Sequence, residues 1–244
     1  MSAPPADPCR FLILFEGRTG STLMGQMLNQ HPQVIHIGEE VSHLQEQGFE
    51  AQRAWMERLY FETDQFDDPR IKPNPRAVGF KVKLRKIASP DQLAQYIEAH
   101  GLRVIHMIRQ NKIKQVVSSV RAIDLHQRTG SYNLDQKDEL CLPTAYEIPI
   151  ERFNTTLLWL MEAEHRLDCF ISHLSVPVLK ITYESILEDY QQAMERLFQF
   201  LGVEPVPVTP QARKITPDDL RATLSNFEAL KTFYRHTPYG AMFD

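Results

Sequence analysis

Arg18, Thr19, Gly20, Ser21 and Thr22 lie between an unbroken apolar run (FLILF, 11–15) and a segment with helical spacing (TLMGQMLNQ, 22–30). A strand, a tight loop and a helix in that order aim unpaired backbone N–H groups and the positive end of the helix at an anion. Gly17 and Gly20 permit positive φ and close backbone approach. Ser21 and Thr22 add hydroxyl donors, and Arg18 adds a planar cation suited to phosphate. An ordinary strand-to-helix turn with a Ser/Thr cap has the same ingredients. The nucleotide-triphosphatase loop requires lysine after its second glycine, whereas Ser21 follows Gly20 here. The apolar run at 103–108 ends in Arg109 instead of a metal-holding aspartate. Transfer of a dianionic phosphoryl group normally recruits Mg²⁺. A less charged group, such as a sulfuryl, needs fewer positive charges, and no metal is expected.

In a parallel α/β sheet, ligands sit at the C-terminal ends of the strands. That rule selects the loop with Arg18, the pair Glu39–Glu40 after VIHIG, Lys81 and Lys83 after AVGF, Arg109, and Tyr183–Glu184 after VPVLKIT. Transfer to a hydroxyl requires a base for the acceptor's proton and cations or N–H groups for the charge that develops on the leaving oxygen. A carboxylate from Glu39–Glu40 serves the first need, with the two facing opposite ways if the segment is extended. Arg18 and Lys81 serve the second, with Lys83 competing for the role of Lys81. His36 and His106 lie inside apolar strands and read as core histidines, while His31–Pro32 reads as a helix stop.

The segment GRTGSTLMGQMLNQHPQVIHIGEE resembles the 5′-phosphosulfate-binding segment of sulfotransferases that use 3′-phosphoadenosine 5′-phosphosulfate (PAPS). The likeness is greatest to the tyrosylprotein and bacterial carbohydrate-type branches. It implies that the loop 18–22 holds the phosphosulfate, with Arg18 where many cytosolic members carry lysine. It also implies that Glu40 is the base, with Glu39 in reserve. In RQNKIKQVVSS, the resemblance assigns Arg109 and Ser118 to the nucleotide's 3′-phosphate, although the family's usual spacing is one residue shorter. Ser118 points away from the helix's apolar stripe and Ser119 toward it, at about 100° per residue. Gly79-Phe80-Lys81 is similar to a Gly-x-Lys of bacterial relatives. ARKIT (212–216) matches the basic loop over the nucleotide, which makes Arg213 and Lys214 cofactor-binding candidates. The product would be 3′,5′-ADP and the acceptor a small-molecule or glycan hydroxyl, with sugar, lipid, metabolite and peptide tyrosine all open. An ATP-dependent kinase and a non-catalytic nucleotide-binding protein on the same fold are the alternatives.

Five short apolar runs supply the strands that must carry these residues: 11–15, 34–37, 77–82, 103–108 and 176–181. Between them, helical spacing recurs over 22–30, 43–66, 91–100, from 112 onward, 152–174 and 190–201. The helix from 112 sets Ile113, Val116, Val117, Val120 and Ile123 on one stripe. Alternating strands and helices predict an α/β fold, a P-loop-like parallel sheet with helices on both faces. Residues 41–75 and 124–150 are expected to wall the acceptor pocket. A leader over 1–8 and a single domain over 9–244 account for the chain of 244 residues. A net charge of −4, from 27 basic and 31 acidic residues, argues against nucleic acid as a partner, and no stretch has the length of a membrane span. Three scattered cysteines (Cys9, Cys141, Cys169) without metal-ligand spacing predict reduced thiols in a cytoplasm. The oligomeric state leaves no mark in the sequence.

Overall fold

A computed structural model describes residues 7–130, 145–210 and 219–243. The chain divides into two compact units, Met1–Ile108 with His165–Gln211, and Arg109–Glu164 with Ala212–Asp244.

The first unit is built on five parallel strands, β1 (Cys9–Phe15), β2 (Val34–Ile37), β3 (Ala77–Val82), β4 (Arg103–Ile108) and β5 (Val178–Thr182), in the order β2-β3-β1-β4-β5. The continuous apolar run of β1 is explained by its central place, with Ile13 beside Lys81 of β3 and Ile105 of β4. Its side chains alternate between two cores. Leu12 and Leu14 join Val78, Phe80 and Val104 under α2 (Phe49–Phe61) and α3 (Pro90–His100). Phe11, Ile13 and Phe15 join Ile105 and Met107 under α1 (Ser21–Leu28) and α7 (Tyr190–Leu201). Helices therefore cover both faces of the sheet. Met194, Leu197, Phe198 and Leu201 of α7 are all buried, each contributing about 1.5–3 kcal/mol of transfer free energy.

Two contacts fix α1 against the strand that follows it. Gly25 faces the His36 ring, where a Cβ would lie 2.4 Å from His36 Cε1. At the helix end, Lys72 Nζ donates to the carbonyls of Asn29, His31 and Val34 at 2.8, 2.8 and 2.6 Å. The Asn29 carbonyl is one that a helix terminus leaves without an intrahelical partner, and Val34 opens β2, so the ammonium ties the helix end to the strand.

The helical pattern expected over 43–66 is broken in the structure. A 3₁₀ segment, Glu40–Gln47, ends at Gly48 (φ 88°) before α2 begins. The last strand starts at Val178 and not 176, and Thr182 then caps α6 (Tyr183–Glu188) by accepting from the Ser185 N–H. That helix was not expected; its capping residue lies inside a strand-like run.

The second unit contains α4 (Lys112–Thr129), the first turns of α5 (Ile150–Ser172), α8 (Leu220–Thr223) and α9 (Phe227–Tyr234). Asn111 caps α4 by accepting from the Lys114 N–H at 2.8 Å. Its core brings Ile113, Val116, Val117 and Val120 against Phe153, Leu157, Leu160 and Leu230. Ile123, expected on the same stripe, is 43% exposed.

Candidate active site

The loop between β1 and α1 turns on two residues of left-handed conformation, Arg18 (φ 64°) and Gly20 (φ 83°). Gly17, expected to share that role, has no positive φ, and Arg18 takes it. Glycine at 20 is required twice: for its φ, and because a Cβ there would fall 2.4 Å from the Tyr183 ring. Thr19 is buried and donates its hydroxyl to the Glu16 carbonyl at 2.9 Å, which closes the turn. Ser21, also buried, opens α1 with Thr22 exposed beside it. Arg18 is partly buried.

The cation missing from the loop arrives from another strand. Lys81, near the end of β3, is buried, and its Nζ donates to Thr22 Oγ1 at 3.2 Å and Ser21 Oγ at 3.4 Å. Burial pushes its pKa below the ordinary lysine range, with Glu39 acting in the opposite sense and Lys83 reinforcing the depression. Glu39 Oε1 lies 3.7 Å from Lys81, and Oε2 accepts from Lys83 Nζ at 2.5 Å. Both ammonium groups also lie over the Phe15 ring, at 5.4 and 4.9 Å from its centroid. Lys81 and Lys83 thus flank one carboxylate, and Lys81 alone reaches the loop hydroxyls.

Glu40 is held differently. By Glu39 (φ −105°, ψ 25°) the chain has already left the extended conformation, so strand alternation does not decide where the two carboxylates point. Glu40 Oε1 accepts from Arg70 Nη2 at 2.6 Å, while Oε2 is buried without a hydrogen bond. Arg70 is clamped in turn by Asp68, which accepts from Nη2 at 2.5 Å and Nε at 2.7 Å. This fork holds the Asp68 carboxyl below its usual pKa and raises that of the guanidinium. Arg70 escaped sequence reading because it sits in the proline-rich stretch 67–75, where no periodicity marks it. The adjacent opposite charges of Asp-Asp-Pro-Arg were the available signal.

His36 is buried and its pKa is lowered to about 3, by burial first and then by Lys81, Arg70 and Lys72. His106 is buried in β4. Tyr183 covers Gly20, and Glu184 lies in the first turn of α6.

Arg109 and Ser118 belong to the second unit, Arg109 buried at the residue after β4 and Ser118 buried on α4. Ser118 is therefore not the solvated helix position that its distance from the apolar stripe allows. Ser119 donates back to the Gln115 carbonyl at 2.9 Å. Arg213 and Lys214 lie outside the described residues.

The arrangement can bind an oxyanion at the loop, meet growing negative charge with Lys81, and offer a carboxylate oxygen at Glu40. The sulfotransferase domain family matches residues 10–237. Nodulation protein H of Rhizobium meliloti (strain 1021) is 24% identical over 254 residues, covering 100% of this chain and 98% of that protein. A sulfotransferase from Alicyclobacillus acidocaldarius superposes with a TM-score of 0.52 at 19% identity, covering 98% of this chain and 94% of its own. The sulfotransferase domain from the curacin biosynthetic pathway gives 0.51 at 17% identity, covering 88% and 82%. The two structures speak for the fold, and the family match extends from β1 past α9. The chain is a transferase enzyme that belongs to the sulfotransferase domain family.

Proposed function

We propose that this enzyme moves a sulfuryl group from PAPS to the hydroxyl of a carbohydrate, lipid or small metabolite by in-line displacement. The observation that carries this reading is Lys81, a buried ammonium donating to both loop hydroxyls and placed where the loop itself lacks lysine. A single cation beside Arg18 and the loop amides suits a sulfuryl group, which brings less charge than a phosphoryl. PAPS supplies the sulfuryl group and departs as 3′,5′-ADP. Thr19, Gly20, Ser21 and Thr22 bind the 5′-phosphosulfate, and Arg109 with Ser118 binds the 3′-phosphate, as the family resemblance implies; Arg213 and Lys214 are proposed to close over the nucleotide.

Glu40 is the proposed base. Its Oε1 is held by Arg70, and the side chain is 41% exposed, so an acceptor's hydroxyl can approach the carboxylate. Glu39, with both oxygens facing lysines, positions Lys81. Cys9 and Cys169 are free thiols, in keeping with a cytoplasmic enzyme. Among the described residues, no helix is long and apolar enough to cross a membrane.

The test is transfer of ³⁵S from labelled PAPS across a panel of glycan, lipid, phenolic and peptide acceptors, beside the same panel with γ-labelled ATP and Mg²⁺. Label from PAPS on an acceptor supports the proposal. Label from ATP alone assigns the loop to a kinase.

A further inference from the structure

Parallel strands place their N-terminal ends together, and in the first unit three adjacent strands begin there with arginine. Arg10 follows the first residue of β1, Arg76 precedes β3, and Arg103 opens β4. With Asp7, Cys9 and His100 they line a cavity of about 330 Å³, at the lower end of the range for small-ligand sites. This end of the sheet lies opposite the loop of residues 17–20.

Charge in the cavity is not balanced. Asp7 is, among the described residues, the one carboxylate on its wall; its side chain is 87% exposed and stands 3.5 Å from Arg10 Nη2. Among the described residues, no carboxylate pairs with Arg76 or Arg103. The C-terminal ends of α3 and α7 reach the cavity at Gly101 and Gly202, where their partial negative charge offsets part of the arginine charge, and Arg103 spends one N–H on the Phe200 carbonyl. That contact occupies one group of one guanidinium. Arg10 stacks on Phe61 at 4.4 Å while its buried Nε has no hydrogen-bond partner. Both Arg10 and Arg103 act electrostatically on the Cys9 thiol, so the two cations share this corner. Three guanidinium groups still outweigh Asp7 and the two helix C-termini, and a forked set of N–H donors matches a tetrahedral oxyanion.

We propose that this cavity binds a phosphate dianion, either inorganic phosphate or the phosphomonoester of a small metabolite, at a site separate from the donor loop. Occupancy would tie together the starts of three strands and the ends of two helices. The proposal does not depend on the identity of the sulfuryl donor.

The test is an amide NMR titration of the ¹⁵N-labelled full chain with inorganic phosphate, against chloride at equal ionic strength. Gly101 and Gly202 report on the cavity, and Gly20 and Ser21 on the loop. The expected result is a saturable millimolar shift at Gly101 and Gly202. Arg76→Gln should weaken it at least fivefold while the response at Gly20 and Ser21 stays the same. The Arg76 side chain is exposed and Arg103 is partly buried against the Phe200 carbonyl, so Arg76→Gln is the variant that disturbs the fold less. A parallel titration with ribose 5-phosphate identifies the source: tighter binding than phosphate selects a phosphomonoester, weaker binding the inorganic ion. Equal shifts with chloride, no saturation at Gly101 and Gly202, or indifference to Arg76→Gln overturns the proposal.

Discussion

Adjacent carboxylates, Glu39 and Glu40, are held by different cations, Lys81 and Lys83 for one and Arg70 for the other. That division makes the acid–base assignment testable residue by residue. Glu40→Gln should lower kcat by about 10²–10⁴ and leave 3′,5′-ADP affinity unchanged, because it removes a proton acceptor and no donor contact. Glu39→Gln should cost less; steady-state kinetics showing Glu39→Gln inactive and Glu40→Gln active would reverse the roles. Lys81 gives a second handle. Because burial lowers its pKa, its charge should be lost at a pH below the ordinary lysine range, producing an alkaline limb in kcat. Lys81→Arg should move that limb upward, since a guanidinium keeps its proton, and a pH–rate profile measures the shift. The loop 18–22 was legible because its residues are consecutive. The Lys81 and Arg70 contacts were not, since each depends on a segment about 30 to 60 positions away in the chain.

At the scale of elements, α1 and β2 meet through one glycine and one histidine. Gly25→Ala gains about 1 kcal/mol of helix propensity but drives a methyl into the His36 ring. Overpacking of this kind costs about 1–3 kcal/mol, so urea unfolding should show a net loss of stability. His36 also makes the pair pH-sensitive. Its pKa is about 3 in the folded state against 6.5 for the free side chain, so between these values the unfolded chain binds more protons. Stability should therefore fall as pH drops below 6.5, by about 2 kcal/mol at pH 5. His36→Gln should flatten that dependence in urea titrations at pH 7 and pH 5. The strands were largely readable from their apolar runs, and the left-handed caps at Gly101 and Gly202 close two of the helices whose spacing was readable. The 3₁₀ segment before α2 was not, because its polar sequence, EVSHLQEQ, carries little of the apolar periodicity that marks a helix.

At the scale of the whole molecule, we propose that residues 9–244 form a single domain although the chain divides into two compact units. Calorimetry should then give one transition whose calorimetric and van't Hoff enthalpies agree. Two resolved transitions would make the units separate domains. Saturating 3′,5′-ADP should raise Tm with a dependence on ligand concentration, and Arg109→Ala should reduce that rise far more for 3′,5′-ADP than for 5′-AMP. Equal loss for both ligands would remove Arg109 from 3′-phosphate recognition. Sheet class and sidedness were visible in the alternation of strands and helices. The division into units was not, because α5 is one uninterrupted helix in the sequence pattern and contributes its first turns to one unit and its last to the other.

Lys72 gives the proline-rich stretch a chemical reporter. With its ammonium committed to three carbonyls and its pKa lowered by burial, it lacks the exposure and conformational freedom of a surface lysine. An amine-reactive reagent can acylate it only when residues near 67–75 detach from the end of α1. The same detachment withdraws Arg70 from Glu40, so the rate at which Lys72 is labelled counts the moments when the carboxylate loses its clamp. Pulse labelling followed by peptide mass spectrometry would thus time an opening that steady-state turnover averages away.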